Sequence, residues 1–310
     1  MARAVNPDSV LYGVARAGGV THALVSPLPG NGVFAGQASV IRLDGSERTL
    51  VAPDAAMIAV VGAWGGELAG GSRAAALQEL EQAFEEAEVY QSSSALVRGG
   101  QASNLSLSRA DLSALASFVA SGRPLGVVAN RSTDIRHAVA ILQDRGIAPV
   151  IIGGAEAWKV ADELAAADVP VLLDPLANIP DSYDTLGARI DNATLLHEAG
   201  VRIGFMEATG HEVREIRQYA GNAVAHGLPR EVALAAITRN PAEIWRVDDR
   251  IGQIAPGMAA DLVIWTGDPL ELTSWAETVI IDGAEIPHDS RQLRLQERWR
   301  DPRSYRTPRN

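Results

Sequence analysis

The sequence predicts an α/β fold, and two patterns in its 310 residues carry that prediction. Short apolar runs alternate with longer stretches of helical spacing over most of the chain, as expected of βαβ units. Most of these runs are rich in β-branched residues and lack polar alternation, which is typical of parallel strands buried on both faces. The number of units favours a barrel over an open sheet.

The predicted elements follow one another along most of the chain. The predicted strands are Thr21–Pro27, Met57–Ala63, Pro124–Asn130, Ala148–Gly154, Val169–Pro175 and Val201–Glu207. Several of the helical segments between them open on Ser or Asp, which cap helix N-termini, and end on Gly or a turn. Two more strand-like runs, ADLVIW and ETVIIDG, lie among Gly, Pro and Asp turn signals near the C-terminus. We therefore predict a barrel over residues 1–247, a small β element over 248–286 and a basic tail over 287–310.

The composition narrows the classes of partner and chemistry. The chain carries 38 acidic and 27 basic residues, a net charge of −11, which argues against nucleic-acid and anionic-membrane partners over most of the surface. The exception is the tail from Ile286 onward, with seven Arg and three acidic residues, which we interpret as a solvated terminus or a short docking helix. The absence of cysteine excludes disulfides, thiolate metal sites and a Cys nucleophile.

The sequence also bears on location. No run of eighteen apolar residues occurs, and the N-terminal twenty residues lack the apolar core of a signal peptide. The chain as it stands is expected to be cytoplasmic. A secreted or periplasmic location stays open if the gene product begins further upstream.

Polar residues at predicted strand ends are the candidate site residues. Asn130, Asp174 and Glu207 end strands where a parallel barrel gathers its active site. Asn130 and Asp174 are candidates for binding a small polar ligand, with helix capping or loop hydrogen bonding as the alternative. Glu207 is a candidate acid/base group, and His211, just beyond the same strand, is a second candidate. The alternative for His211 is the first turn of the following helix.

The C-terminal segment carries a family resemblance. The stretch NPAEIWRVDDRIGQIAPGMAADLVIWTGDPLELTSWAETVIIDGAEI resembles the C-terminal signature of the metal-dependent amidohydrolase superfamily. Upstream, AGGVTHALVSPLPGNGVFAGQASVIRL is similar to a strand and glycine-rich loop of the imidazolonepropionase-like branch. The resemblance spans roughly Val5 to Ile286.

The resemblance implies an amidohydrolase-like (β/α)8 TIM barrel with a small β-sandwich built from both chain termini. It also implies hydrolysis of C–N bonds other than peptide bonds, in cyclic amides or N-acyl amino acids. Active members use Zn or Mn, which lowers the pKa of bound water to about 7 and polarises the carbonyl.

This sequence departs from the family at the metal ligands. The first barrel strand with its HxH pair, and half of the sandwich, are absent from the chain. Val128, Gly153 and Ala208 stand where the family has two ligand histidines and the catalytic aspartate, although a one-residue gap would bring Glu207 to the aspartate position. We therefore predict that no catalytic metal or other cofactor binds to this chain.

Three hypotheses follow from these departures. The first is a C–N hydrolase with a degenerate metal site, and the second is a catalytically silent homologue acting as a binding or partner subunit. The third is an N-terminally incomplete chain whose missing segment carries the HxH pair. The missing strands would leave sheet edges exposed, which proteins usually cover. We expect a second copy or an N-terminal partner segment to cover them.

Overall fold

The computed structural model describes residues 1–92, 105–207, 209–287 and 291–300, and its larger sheet contains seven strands. In chain order these are β1 (His22–Val25), β2 (Phe34–Arg42), β3 (Leu50–Val60), β4 (Leu125–Ala129), β5 (Pro149–Gly153), β6 (Val171–Leu173) and β7 (Ile203–Phe205). The spatial order of the strands is the same as their order along the chain. All six predicted barrel strands are therefore present.

The pairing within this sheet is parallel from β3 to β7, as the buried apolar runs predicted. The other two pairings are antiparallel, because β2 lies between β1 and β3. Strand β2 is not predicted from the sequence, and its first residues belong to the stretch that resembles a glycine-rich loop. The register shifts between Phe34 and Gly36, and such an irregularity at a glycine obscures the strand pattern in the sequence.

Helices follow most of the strands. In the described residues the α-helices are α1 (Val10–Ala17), α2 (Gly62–Leu68), α3 (Arg73–Ser92), α4 (Arg109–Ser121), α5 (Ser132–Gln143), α6 (Ala161–Ala166), α7 (Asn192–Glu198), α8 (Ile216–Ala225), α9 (Arg230–Ala236), α10 (Arg239–Ile244) and α11 (Arg291–Trp299). Local sequence sets their ends, as α4 illustrates. Ser108 accepts a hydrogen bond from the Asp111 N–H at its start, and Gly122 ends it with a left-handed φ of 66°.

Two apolar cores cover the two faces of the curled sheet. The outer core packs the strands against helices through residues such as Leu80, Phe118 and Ile135. The inner core joins Ile58 and Leu172 to Trp245, at the end of α10. A Cβ built on Gly126 would lie 2.8 Å from Ile58 Cδ1 and 3.3 Å from Trp245 Cη2, so the interior is closely packed. The result is a TIM-barrel-like fold whose interior is filled with side chains.

The small C-terminal sheet is antiparallel and contains β8 (Leu262–Trp265), β9 (Ala276–Ile281) and β10 (Ala284–Ile286). Two of its strands were predicted from the sequence. Arg42 Nη1 lies 2.7 Å from Asp282 Oδ2 and connects this sheet to β2. The buried Arg217 of α8 donates to the carbonyls of Glu271 and Ser274, and so fixes the segment before β9.

The basic tail forms the helix α11 over Arg291–Trp299, whereas residues 288–290 and 301–310 lie outside the described part of the chain. Within the described ranges, no helix combines the length and the apolar character that crossing a membrane requires.

Candidate active site

The carboxyl ends of the five parallel strands meet at one edge of the sheet. Val61, Asn130, Gly154 and Asp174 directly follow β3 to β6, and Glu207 is the second residue after β7. Because the interior below is apolar, polar groups on this edge are the candidates for binding and chemistry.

Glu207 and Asp174 come together at the ends of β7 and β6. Glu207 Oε1 accepts a hydrogen bond from the Thr209 N–H at 2.7 Å, and its Oε2 accepts one from the Tyr219 hydroxyl at 2.7 Å. Asp174 Oδ1 accepts from the Leu176 N–H at 2.8 Å. We call Asp174, Glu207 and Tyr219 the carboxylate site.

The electrostatics of the carboxylate site follow from burial and like charge. Burial raises the pKa of Asp174, the Leu176 N–H opposes that shift, and the negative charge of Glu207 reinforces it. Burial and the hydrogen bond to Glu207 also raise the pKa of Tyr219, which therefore stays a hydrogen-bond donor. Asp174 holds its proton to a higher pH than an ordinary aspartate does.

Tyr219 was not predicted from the sequence. It lies on the buried face of α8, where Ala220 and Ala223 are its buried neighbours. A tyrosine among small residues on such a face was the available signal, since a buried tyrosine hydroxyl usually needs a hydrogen-bond partner.

Asn130 hydrogen-bonds to the backbone of a loop, which is the alternative to ligand binding given in the sequence analysis. Its Oδ1 accepts from the Ala155 N–H at 3.3 Å and lies 2.7 Å from where a Cβ on Gly153 would stand. The side chain thus supports the turn after β5. These contacts do not include the carboxylate site.

His211 does not join the other candidates among the described residues. Its side chain is 63% exposed, and its Nε2 lies 3.5 Å from Oε1 of the neighbouring Glu212. It precedes the short 3-10 turn Val213–Glu215. The alternative interpretation, a residue at the start of the following helical segment, fits this placement.

A second polar group, missed from the sequence, lies where β3 and β4 end. Arg73 donates to Asp134 Oδ2, and Arg131 Nε lies 2.9 Å from Asp184 Oδ1. Asp184 Oδ2 also accepts from the Ala63 N–H at 2.6 Å. Asp134 is 4% exposed and Asp184 is 9% exposed, so both carboxylates are buried. We call Arg73, Arg131, Asp134 and Asp184 the arginine cluster.

One member of the arginine cluster left a signal in the sequence. Asp134 shares a helix face with the buried Ile135, Ala138 and Leu142, and a charged residue on such a face needs a partner. Asp184 left none, because it lies in the long connection after β6 and its bonded partner Ala63 is 121 positions away.

The residues at the family's ligand positions do not fit the metal centre that the resemblance implies. Val128 offers no donor atom, and a side chain on Gly153 would meet Asn130 Oδ1. Ala208 lies outside the described residues, and both oxygens of Glu207 already accept hydrogen bonds. Within the described ranges, no group of three or more His, Cys, Asp or Glu side chains is placed to hold a metal ion.

A curled parallel sheet with polar side chains gathered at its carboxyl edge defines a TIM-barrel-like protein with one candidate active edge. Comparisons with known proteins agree with this class. Residues 196–287 match the model of the Amidohydrolase family. The structure is similar to that of an amidohydrolase from Thermotoga maritima MSB8, with a TM-score of 0.83 and 27% identity, over 92% of this chain and 76% of that one.

Two curated relatives match shorter segments. Amidohydrolase tasK of Hapsidospora irregularis is 40% identical over 114 residues, which is 34% of this chain and 12% of that protein. The imidazolonepropionase of Hahella chejuensis (strain KCTC 2396) is 49% identical over 39 residues, 13% of this chain and 10% of that protein. The matched segments thus span about a tenth of each relative. These comparisons support membership of the amidohydrolase superfamily, and the assignment to the imidazolonepropionase-like branch stays a prediction.

Proposed function

We propose that the protein is a hydrolase of C–N bonds other than peptide bonds, acting on cyclic amides or N-acyl amino acids with a degenerate metal site. The observation that carries the proposal is the structural similarity to the Thermotoga maritima amidohydrolase over 92% of the chain. The carboxylate site at the carboxyl edge of the same sheet supports it.

The carboxylate site suggests how protons would move. Hydrolysis of a C–N bond needs a base that takes a proton from water and an acid that protonates the leaving nitrogen. Paired carboxyl groups in unlike environments divide such roles, and the raised pKa of Asp174 suits it to hold the proton. Glu207, positioned by the Tyr219 hydroxyl, would then be the acceptor.

A substrate panel tests the proposal. Cyclic amides and N-acyl amino acids are incubated with the protein, with and without added Zn or Mn, and the released amine or opened ring is measured. We expect turnover that Glu207→Gln reduces by 100-fold or more, in the range of about 10²–10⁴ for a lost acid/base group. Glu198→Gln, an exposed residue at the end of α7, is the control. Turnover that survives Glu207→Gln would contradict the assignment.

A second candidate is a catalytically silent homologue that binds a small molecule or a partner. It is favoured by the absence of donor atoms at Val128 and by the engagement of both Glu207 oxygens. Metal content measured by mass spectrometry separates the two candidates. One or two equivalents of Zn or Mn retained by the purified chain would contradict the silent homologue, and none retained, with no turnover in the panel, would contradict the hydrolase.

We also propose that the protein forms an oligomer or binds an N-terminal partner segment. Strands β1 and β7 are the two ends of the larger sheet, and all four residues of β1 are only partly buried. Exposed strand edges are sites for pairing with another strand. Light scattering tests this proposal, and a stable monomer of the 310-residue chain would count against it.

A further inference from the structure

The two arginines of the arginine cluster are held at the edge of the sheet with their guanidinium groups outward. The side chains of Arg73 and Arg131 are 28% and 33% exposed, whereas those of Asp134 and Asp184 are 6% and 12% exposed. The carboxylates therefore lie beneath the guanidinium groups and fix them in place. This order is what a preorganised anion site needs.

Both guanidinium groups lie near the same oxygen, Asp184 Oδ1, and N–H donors remain for a ligand. Arg131 Nε and Arg73 Nη1 lie 2.9 and 3.6 Å from Asp184 Oδ1. Arg131 Nη2 donates to the Tyr183 carbonyl at 2.8 Å. A guanidinium group carries five N–H donors, and the Nη1 of Arg131 makes no hydrogen bond to the described residues. A planar, two-oxygen anion matches that fork.

We propose that Arg73 and Arg131 bind the carboxylate of an N-acyl amino acid. The cluster pairs two guanidinium groups with two carboxylates, so its own net charge is zero. A carboxylate brings it to −1 and a phosphate dianion to −2, and the smaller charge is the easier one to accept at a partly buried site. A carboxylate is therefore favoured over a phosphate.

Exposed aromatic side chains beside the cluster indicate an apolar group next to that carboxylate. Trp64 is 42% exposed and follows Ala63, whose N–H binds Asp184. Tyr183 is 81% exposed, and its carbonyl binds Arg131. Together they offer an apolar surface to an aliphatic or aromatic side chain.

The position of the cluster fits the proposed reaction. Arg131 follows β4 and Asp174 follows β6, so their backbones are two strand spacings apart, about 10 Å. A small amino-acid derivative reaches from one toward the other. The inference rests on the proposed hydrolase for the reaction, whereas binding of the carboxylate stands without it.

Isothermal titration calorimetry with N-acetyl-L-leucine and its neutral amide, N-acetyl-L-leucinamide, tests the inference. We expect the acid to bind at least tenfold more tightly than the amide, because a charge-assisted pair is worth about a factor of ten or more. Arg131→Lys keeps the charge beside Asp184 but loses the fork, and we expect it to weaken binding of the acid about tenfold without affecting the amide. Arg136→Lys, which changes an exposed arginine paired with Glu163 on α5, is the control and leaves both affinities unchanged.

Three outcomes would overturn the inference: equal affinity for the acid and the amide, no binding of either, or unchanged binding of the acid by Arg131→Lys. Circular dichroism confirms that the variants are folded. Calorimetry does not depend on turnover, so it tests carboxylate binding by the arginine cluster independently of the proposed hydrolase activity. If the protein binds the acid without hydrolysing any substrate, binding by the arginine cluster is supported and the proposed hydrolase function is contradicted.

Discussion

The two polar groups at the carboxyl edge of the sheet hold their carboxylates in different ways. In the arginine cluster, Asp134 and Asp184 face guanidinium groups, and the charges cancel. In the carboxylate site, Asp174 and Glu207 are held by neutral donors, which are two backbone N–H groups and the Tyr219 hydroxyl. Negative charge is therefore compensated at the ends of β3 and β4 and left uncompensated at the ends of β6 and β7.

This difference suits the arginine cluster to a structural role and the carboxylate site to acid/base chemistry. A compensated buried carboxylate contributes order, and its removal exposes the opposite charge of its partner. An uncompensated pair is less stable and therefore keeps a proton more readily, which is the property that acid/base chemistry uses. The comparison predicts larger stability losses from changes in the arginine cluster than from changes in the carboxylate site.

The largest effect is expected from Asp134→Ala. The change leaves Arg73 without its buried partner, and we expect a loss of about 2 kcal/mol in the free energy of unfolding. This is below the about 3–5 kcal/mol for a fully buried pair, because the Arg73 side chain is 28% exposed and water can solvate it. Urea unfolding measures the loss. Glu163→Ala, which breaks an exposed ion pair with Arg136, is the control and should change little.

A substitution at Gly62 also tests the arginine cluster. Gly62 has φ of 73°, and a Cβ there would lie 2.9 Å from Asp184 Oδ2 and 3.3 Å from Asp134 Oδ2. We expect Gly62→Ala to destabilise the protein by about 2 kcal/mol, from backbone strain and from displacement of the carboxylates. Gly70→Ala is the matched control, because Gly70 has φ of 86° with open space around its Cβ, so only the strain of about 1 kcal/mol applies. Equal losses in the two variants would show that the cluster tolerates the added methyl group.

The strands and helices could be predicted because their signals are local. An apolar run such as Val169–Pro175 or a Ser cap such as Ser108 is read within a few residues. The β2 strand could not be predicted, because the irregularity at Gly36 interrupts its pattern and the pairing with β1 and β3 is not local.

The candidate site was predictable only as far as position along a strand determines it. Asp174 and Glu207 follow adjacent strands, and the carboxyl ends of parallel strands share an edge, so their proximity could be expected. Tyr219 lies on a helix and Asp184 in a long connection. Their contacts could not be predicted, because they depend on how segments distant in sequence pack together. His211 is close in sequence to the end of β7, but its side chain is 63% exposed and its ion-pair contact is with the neighbouring Glu212.

A smaller effect is expected from Tyr219→Phe in the carboxylate site. The change removes the donor to Glu207 Oε2, and we expect a stability loss of about 1–2 kcal/mol from the unmade hydrogen bond. Tyr183→Phe, at a side chain that is 81% exposed, is the control for the loss of a hydroxyl and should leave stability unchanged. If Tyr219→Phe were as stable as the parent protein, the hydroxyl would not be holding Glu207.

The smallest effect, and the one with opposite sign, is expected from Asp174→Asn. The folded-state pKa of Asp174 is raised above the ordinary value of 3.8, mainly by burial. Its favourable contribution to stability is therefore fully present below the unfolded pKa and is lost as the pH rises through the folded pKa. Asparagine keeps an oxygen for the Leu176 N–H and carries no charge, so Asp174→Asn should be slightly more stable than the parent protein at pH 7. Urea unfolding at pH 7 and at about pH 3.5 checks this sign, because the advantage should shrink as Asp174 becomes protonated in both states. If Asp174→Asn were more stable than the parent protein by the same amount at both pH values, the charge of Asp174 would not be the cause. The carboxylate site would then not contain the uncompensated charge that distinguishes it from the arginine cluster.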